Sequence, residues 1–221
     1  SRGLGDVYKR QAYKGFIKFL KTRFKLKDDA DGMEILSSFL GMNIQWGPNG
    51  EWVRVDQPHA ISKLVEGSKV DVSKPHFTPL PPKTEVQISS CPDLLTPEGR
   101  AEAAEMKSKP YRGRIGQFLW IARTSRPDIA AAVSRLASVA HNPGLEHWKL
   151  TDYLIQYIHH TRQLGLVYRK GSTDYPYGYV DVAFSPDYGT EKDNYRSFEG
   201  IIFKMAGAPI SWWCLSLIHI S

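Results

Sequence analysis

Arg123-Thr124-Ser125-Arg126-Pro127-Asp128-Ile129 is the stretch on which the fold turns. Ser125 is a candidate cap, Pro127 an early-turn proline and Asp128 an acid at a helix start, so one helix ends and another begins here. Before it, Ile115, Phe118, Leu119 and Ala122 recur at helical spacing. After it, Ile129, Val133, Leu136 and Ala140 form a second stripe. Asn142-Pro143 opens a third helix, along which Leu150, Tyr153, Leu154, Tyr157 and Ile158 keep to one face, and Gly165 fits its end. Three helices in succession with short joins make a small helical subdomain.

Beyond Gly165 the period shortens. Leu166 to Arg169, Tyr177 to Phe184, Phe198 to Met205 and Pro209 to Trp213 read as short strands of an antiparallel sheet. On the other side, Ala101 to Lys109 begins a helix that Pro110 interrupts, and the Pro-rich run from Ser73 to Glu98 reads as an extended linker or a wrapping loop. Gln57 to Val65 reads as a short helix. Ile35 to Trp46 and Trp52 to Val55 form a hairpin across Gly47-Pro48-Asn49-Gly50. Tyr13, Phe16, Ile17, Leu20 and Phe24 place an amphipathic helix around residues 12–25, with Lys14, Lys18 and Lys21 on its other face.

The composition bounds the class. The chain has 221 residues, 42% hydrophobic and 12% aromatic, too apolar for a disordered chain and long enough for one large or two small domains. No run reaches the roughly 18–20 apolar residues that cross a bilayer. Cys91 and Cys214 make neither a disulfide scaffold nor a metal motif, and a reducing intracellular compartment is the default.

The two ends read as foreign to the rest. Asp6-Val7-Tyr8-Lys9-Arg10-Gln11 can be encoded by GAT GTG TAT AAG AGA CAG, whose reverse complement translates as Leu-Ser-Leu-Ile-His-Ile, the sequence of Leu215 to Ile220. One DNA sequence read on opposite strands resembles the mosaic end of a transposase-based sequencing adapter. Residues 1–11 and 215–221 are therefore expected to be translated adapter rather than native sequence, a genuine terminal repeat being the alternative. Without them the net charge falls from +6 to +4.

Three groups could carry chemistry. Asp181 lies inside the apolar strand Tyr177 to Phe184, where a carboxylate is costly unless paired or metal-bound. A magnesium ligand and a solvent-facing edge carboxylate are both open readings. Lys14, Lys18 and Lys21, with Arg112 and Arg114 in the acid-free run Met106 to Pro127, suit nucleic-acid backbone or a solvated helix face. His159-His160 is a poor metal pair, since adjacent rings leave a helix about 100° apart. His141 and His147 straddle a helix start and suit capping or packing.

In order along the chain, Phe24-Lys25-Leu26-Lys27-Asp28, Phe39-Leu40-Gly41-Met42, Gln57, Thr78-Pro79, Arg123 to Ile129, Asn142-Pro143, His147-Trp148, Tyr157-Ile158, Gly165-Leu166-Val167-Tyr168, Tyr179 to Phe184 and Ile210-Ser211-Trp212 resemble the polyprotein of copia-type (Pseudoviridae) LTR retrotransposons. The resemblance covers Ala12 to Trp213. It departs at Tyr195, where the family usually has a basic residue, and at Phe198 and Glu199, where it has small hydroxyl residues.

The resemblance implies an α+β chain: the end of a reverse transcriptase palm, a helical thumb and connection, and the first antiparallel strands of an incomplete ribonuclease H-like domain. The expected boundaries are 12–72 for the palm end, 73–98 for the linker, 99–164 for the thumb and connection, and 165–214 for the nuclease strands. Phe39, Leu40, Gly41 and Met42 would be a primer grip. The basic residues would meet template-primer phosphates, and Asp181 would be the first nuclease carboxylate and a Mg2+ ligand in the full-length parent. That parent would be an RNA-directed DNA polymerase with ribonuclease H. The implied partners are an RNA/DNA template-primer duplex and the rest of the Pol polyprotein, with no membrane, in a cytoplasmic virus-like particle. The polymerase's own acids would lie before Ala12 and the remaining nuclease acids after Trp213. The stretch alone is therefore expected to be inactive and to hold no metal firmly. A non-catalytic duplex-binding module and a pseudogene fragment are the alternatives.

Overall fold

The computed structural model describes residues 19, 22, 23, 37–84, 86, 90–172, 175–183 and 197–217. Two units divide at Leu36. In the first, Phe19, Thr22 and Arg23 are helical, with the Arg23 guanidinium 5.6 Å from the centre of the Phe19 ring. The rest of the amphipathic helix expected there lies outside the described residues, as do the turn after it and the loop from Ser185 to Asn194.

The second unit is mixed α and β, with antiparallel sheets. Its strands are β1 (Ser38–Phe39), β2 (Met42–Trp46), β3 (Trp52–Asp56), β4 (Leu166–Arg169), β5 (Tyr177–Ala183), β6 (Ser197–Met205) and β7 (Ala208–Leu217). Its helices are α1 (Pro58–Ser68), α2 (Pro97–Lys107), α3 (Tyr111–Thr124), α4 (Ala130–Ser138) and α5 (Leu145–His160).

Helices α1 and α3 to α5 build the core. Ile61, Phe118, Ile121, Ile129, Val133, Leu136, Leu154, Ile155 and Ile158 are all essentially inaccessible and pack together. The three helical stripes seen in the sequence face this core. The break between α3 and α4 is a single 3-10 turn, Pro127–Ile129. Ser125 does not cap it: the Ser125 hydroxyl instead donates to the buried Gln57 Oε1 at 2.8 Å, tying α3 to the start of α1.

The Pro-rich segment wraps the helices. Leu80, Val86 and Cys91 pack against the core, as do Val70 and Val72 just ahead of the segment. His76 stacks on Tyr153 with ring centres 3.7 Å apart, and its Nε2 is 2.8 Å from Gln156 Oε1. Gln156 Nε2 in turn donates to the Asp71 carbonyl at 2.7 Å. Helix α2 starts at Pro97, four residues ahead of expectation, because Thr96 caps it: the Thr96 hydroxyl accepts from Gly99 N–H at 3.1 Å. Pro110 does separate α2 from α3.

The strands differ from expectation in three ways. First, β4 does not join the strands that follow it. It pairs with β3, Leu166 opposite Val55 and Arg169 opposite Trp52, so the sheets are β1-β2-β3-β4 and β5-β6-β7. The close fit of Gly165 against the Val55 carbonyl admits β4 at that edge. Second, the stretch before Gly47 is not one strand but a hairpin, broken at Leu40-Gly41. Both residues have positive φ, 48° and 78°, as a two-residue turn of the primed type requires. Third, β7 runs to Leu217, so three residues of the end expected to be non-native pair with β6.

Hydrogen bonds join the two sheets to each other and the second sheet to the helices. Tyr168 donates its hydroxyl to the Pro209 carbonyl at 2.7 Å, and Arg169 N–H donates to the Ala206 carbonyl at 2.8 Å. Trp212 Nε1 donates to the Ala122 carbonyl at the end of α3, also at 2.7 Å.

Candidate functional site

Helix α3 has two faces. Tyr111, Arg114, Ile115, Phe118, Ile121 and Ala122 are buried, whereas Arg112, Gly113, Gly116, Gln117, Trp120 and Arg123 are exposed. Arg114 therefore does not fit the expectation that it meets phosphates. Its guanidinium is 6% exposed, donates to Asp152 Oδ1 at 2.5 Å and Thr151 Oγ1 at 2.7 Å, and lies 3.7 Å from the centre of the Trp148 ring. Burial lowers its pKa, and the Asp152 bond and charge oppose that shift. An arginine enclosed this way clamps α3 to α5. In the sequence it looks like any other cation of an acid-free run, because its partners lie 37 and 38 residues away.

Arg112 stays on the surface, its Nε donating to the Ala140 carbonyl at 3.0 Å. Lys14, Lys18 and Lys21 lie outside the described residues.

The exposed face of α3 meets α1 in a groove of about 440 Å3. Gly113 and Gly116 form its floor, with nothing within 4 Å of where their side chains would be. Lys63 and Gln117 border it, and the Trp120 indole, 44% exposed, closes one end. Neither the glycines nor Trp120 stand out in the sequence. The available signal is their spacing, since positions 113, 116, 117 and 120 share one helical face.

The Phe39-Leu40-Gly41-Met42 turn puts apolar side chains into solvent: Phe39 and Leu40 are exposed and Met42 is half-buried. Left-handed backbone at a leucine costs about 1 kcal/mol. That strain is held where the chain turns between β1 and β2.

Asp181 is on β5, the edge strand of its sheet, opposite Gly200 on β6, which is in turn opposite Cys214 on β7. The three positions share a sheet face. The strand is core-like in composition but not in place: Tyr179, Val180, Asp181 and Val182 are all exposed. Among the described residues no three carboxylate, imidazole or thiol groups converge as a metal site needs. Asp181 is a single hard oxygen ligand, and by itself it does not fit a magnesium centre.

His147 and His160 have structural partners. His147 Nδ1 accepts from the Gly144 N–H at 2.9 Å, capping α5. His160 Nδ1 is 2.9 Å from the Gln156 carbonyl, and burial together with Arg162 and His160 lowers the His159 pKa. Among the described residues no helix is long and apolar enough to cross a membrane.

Comparison with known proteins finds relatives along most of the chain. It is 31% identical over 193 residues, 87% of its length, to the retrovirus-related Pol polyprotein from transposon RE1 of Arabidopsis thaliana. It is 28% identical over 199 residues, 90% of its length, to the retrovirus-related Pol polyprotein from transposon TNT 1-94 of Nicotiana tabacum. It is also 32% identical over 107 residues, 48% of its length and 72% of the relative's, to secreted RxLR effector protein 161 of Plasmopara viticola. The chain spans 12% and 14% of the two polyproteins. No family model matches, and no solved structure matches.

Proposed function

The chain belongs to the retrovirus-related Pol polyproteins of copia-type transposons, and from that premise we propose that it binds and positions a template-primer duplex for the larger polyprotein. The groove between α1 and α3 carries this reading. Two glycines on one helical face let a sugar-phosphate backbone approach the helix itself, with no side chains between. Trp120 offers an indole plane to a sugar or base, and Lys63 offers a cation to a phosphate. None of these groups reads a base edge, so the contact positions the duplex without selecting its sequence. The Phe39-Leu40-Gly41-Met42 tip supports a second contact, an apolar knuckle against the primer end. Arg112 adds a surface cation.

In this proposal the polyprotein is an RNA-directed DNA polymerase with ribonuclease H, working in a cytoplasmic virus-like particle. Residues 12–164 form the palm end, linker and thumb. The strands after Gly165 enter the nuclease, except that β4 is built into the palm-side sheet. Asp181 contributes one carboxylate to a magnesium centre whose other ligands come from elsewhere in the polyprotein. Residues 1–11 and 215–221 are adapter-encoded.

The test is duplex binding by the full chain at several salt concentrations. Binding that weakens with salt is expected, and Trp120→Ala should cost about 1–3 kcal/mol. Lys63→Ala should lower the salt slope by about one counterion. Full-strength binding by both variants would refute the groove as the contact surface.

A further inference from the structure

A second opening, of about 690 Å3, lies between α2, the first turn of α3 and the segment joining α4 to α5. Arg100, Lys107, Lys109, Arg112 and His141 line it, and no aspartate or glutamate does. Its volume falls within the roughly 300–1,000 Å3 of small-molecule sites.

Most of this charge is left unneutralised. Arg100 Nη1 donates to the carbonyls of Leu94 and Leu95 at 3.2 and 3.0 Å, and Arg112 Nε donates to that of Ala140. Carbonyls orient a guanidinium without cancelling its charge, and each guanidinium keeps further N–H donors. Lys109 alone meets a carboxylate, Glu105 at 3.3 Å. Lys107 has no ion-pair partner among the described residues. The backbone adds to the same field. Helix α3 has no side-chain cap and no acid in its first turn, and the N–H groups of Arg112 and Gly113 take no partner among the described residues. That helix end is positive and open toward the cleft.

We propose that this cleft binds a run of adjacent phosphate groups, held by Arg100, Lys107 and Arg112 around the start of α3. A single carboxylate would leave most of these donors unused, whereas linked phosphates present several anionic oxygens across the opening. The phosphates belong either to a free nucleoside triphosphate or to a single-stranded nucleic-acid backbone. The cleft adjoins the α1–α3 groove, with Gly113 lining both, but Arg100 and Lys107 line the cleft alone, and its phosphate binding does not depend on duplex binding in the groove.

Inorganic tripolyphosphate titrated into the full chain by calorimetry at low salt is the direct probe. Saturable binding is expected, and Lys107→Glu/Arg112→Glu should weaken it about tenfold or more. Because Arg112 also supports the Ala140 carbonyl, Lys107→Glu alone is the second variant, with circular dichroism to confirm its fold. It should weaken binding several-fold, while Lys170→Glu, outside the cleft, leaves it unchanged. A nucleoside triphosphate and a single-stranded oligonucleotide are titrated separately into the same proteins. The ligand whose affinity falls with Lys107→Glu identifies the source of the phosphates. No saturable tripolyphosphate binding, or affinities indifferent to Lys107→Glu in every titration, would overturn the proposal.

Discussion

Arg126 holds Asp128 by two parallel hydrogen bonds, Nε to Oδ1 at 2.8 Å and Nη2 to Oδ2 at 2.7 Å. The same guanidinium donates to the carbonyl and hydroxyl of Thr161 at 3.0 and 2.7 Å, and the Tyr157 hydroxyl donates to Asp128 Oδ2 at 2.9 Å. Arg126 is 1% exposed. Three elements thus meet at one cation: the end of α3, the turn into α4 and the end of α5.

Replacing Arg126 removes all of its own bonds at once and leaves Asp128 only the Tyr157 hydroxyl among the side-chain donors named above. Arg126→Met should cost about 2–4 kcal/mol, because Asp128 and the Thr161 carbonyl lose their donors in a half-buried setting. Arg126→Lys should recover only part of this, since an ammonium cannot make the two-pronged contact. Urea unfolding of the full chain measures both, and a lysine variant as stable as the parent would show that the fork geometry is dispensable.

Acid should loosen the same joint. Burial pushes the Asp128 carboxyl up, but the Arg126 hydrogen bond and charge, with the Tyr157 hydroxyl, together hold it below the usual carboxylate value. A depressed native pKa means that the unfolded chain binds this proton more readily. The stabilisation is therefore complete above about pH 4 and is lost as pH falls through the native value. The melting-temperature gap between parent and Asp128→Asn should shrink from pH 5 to pH 2; a constant gap would contradict the assignment.

Gly99 sits in the first turn of α2 directly against the backbone of Asp93. A Cβ there meets the Asp93 carbonyl rather than a movable side chain, so Gly99→Ala should destabilise by about 1–3 kcal/mol despite the better helix propensity of alanine. Gly67→Ala, on the open face of α1, should be neutral or stabilising. Thermal melts of the two variants, one lower and one not, check the distinction.

Asp181 should behave as a solitary surface carboxylate in this chain. Magnesium titration is expected to show no saturable site, Asp181→Asn should leave the melting temperature unchanged, and RNA–DNA hybrid should not be cleaved. Magnesium-dependent turnover abolished by Asp181→Asn would show instead that this stretch assembles a working centre.

The helical half was the legible half. Positions 115, 118 and 122, then 129, 133 and 136, then 154, 157 and 158 are apolar at helical spacing, and a helix records its buried face locally. The wrapping of the Pro-rich segment was one of two readings, as was capping, rather than packing, for the histidine at 147. The strands were harder. That β4 belongs with β3 rather than β5 depends on residues more than a hundred positions apart coming together, Val55 with Leu166. Nothing in a four-residue strand names its neighbour.

The sequence alone determined the family resemblance, the three consecutive helices and the positions of the cations, because order, period and charge are properties of the chain itself. Only the tertiary structure decided what each cation does. Arg114 and Arg112 are two residues apart in one acid-free run. The helical turn sends one inward to Asp152 and Trp148 and leaves the other on the rim of a cleft. The same geometry brings Gly113, Gly116 and Trp120 to a single outward face, where missing side chains become a groove. Burial and partnership depend on which distant segments pack against a residue, and that is settled only when the chain has folded.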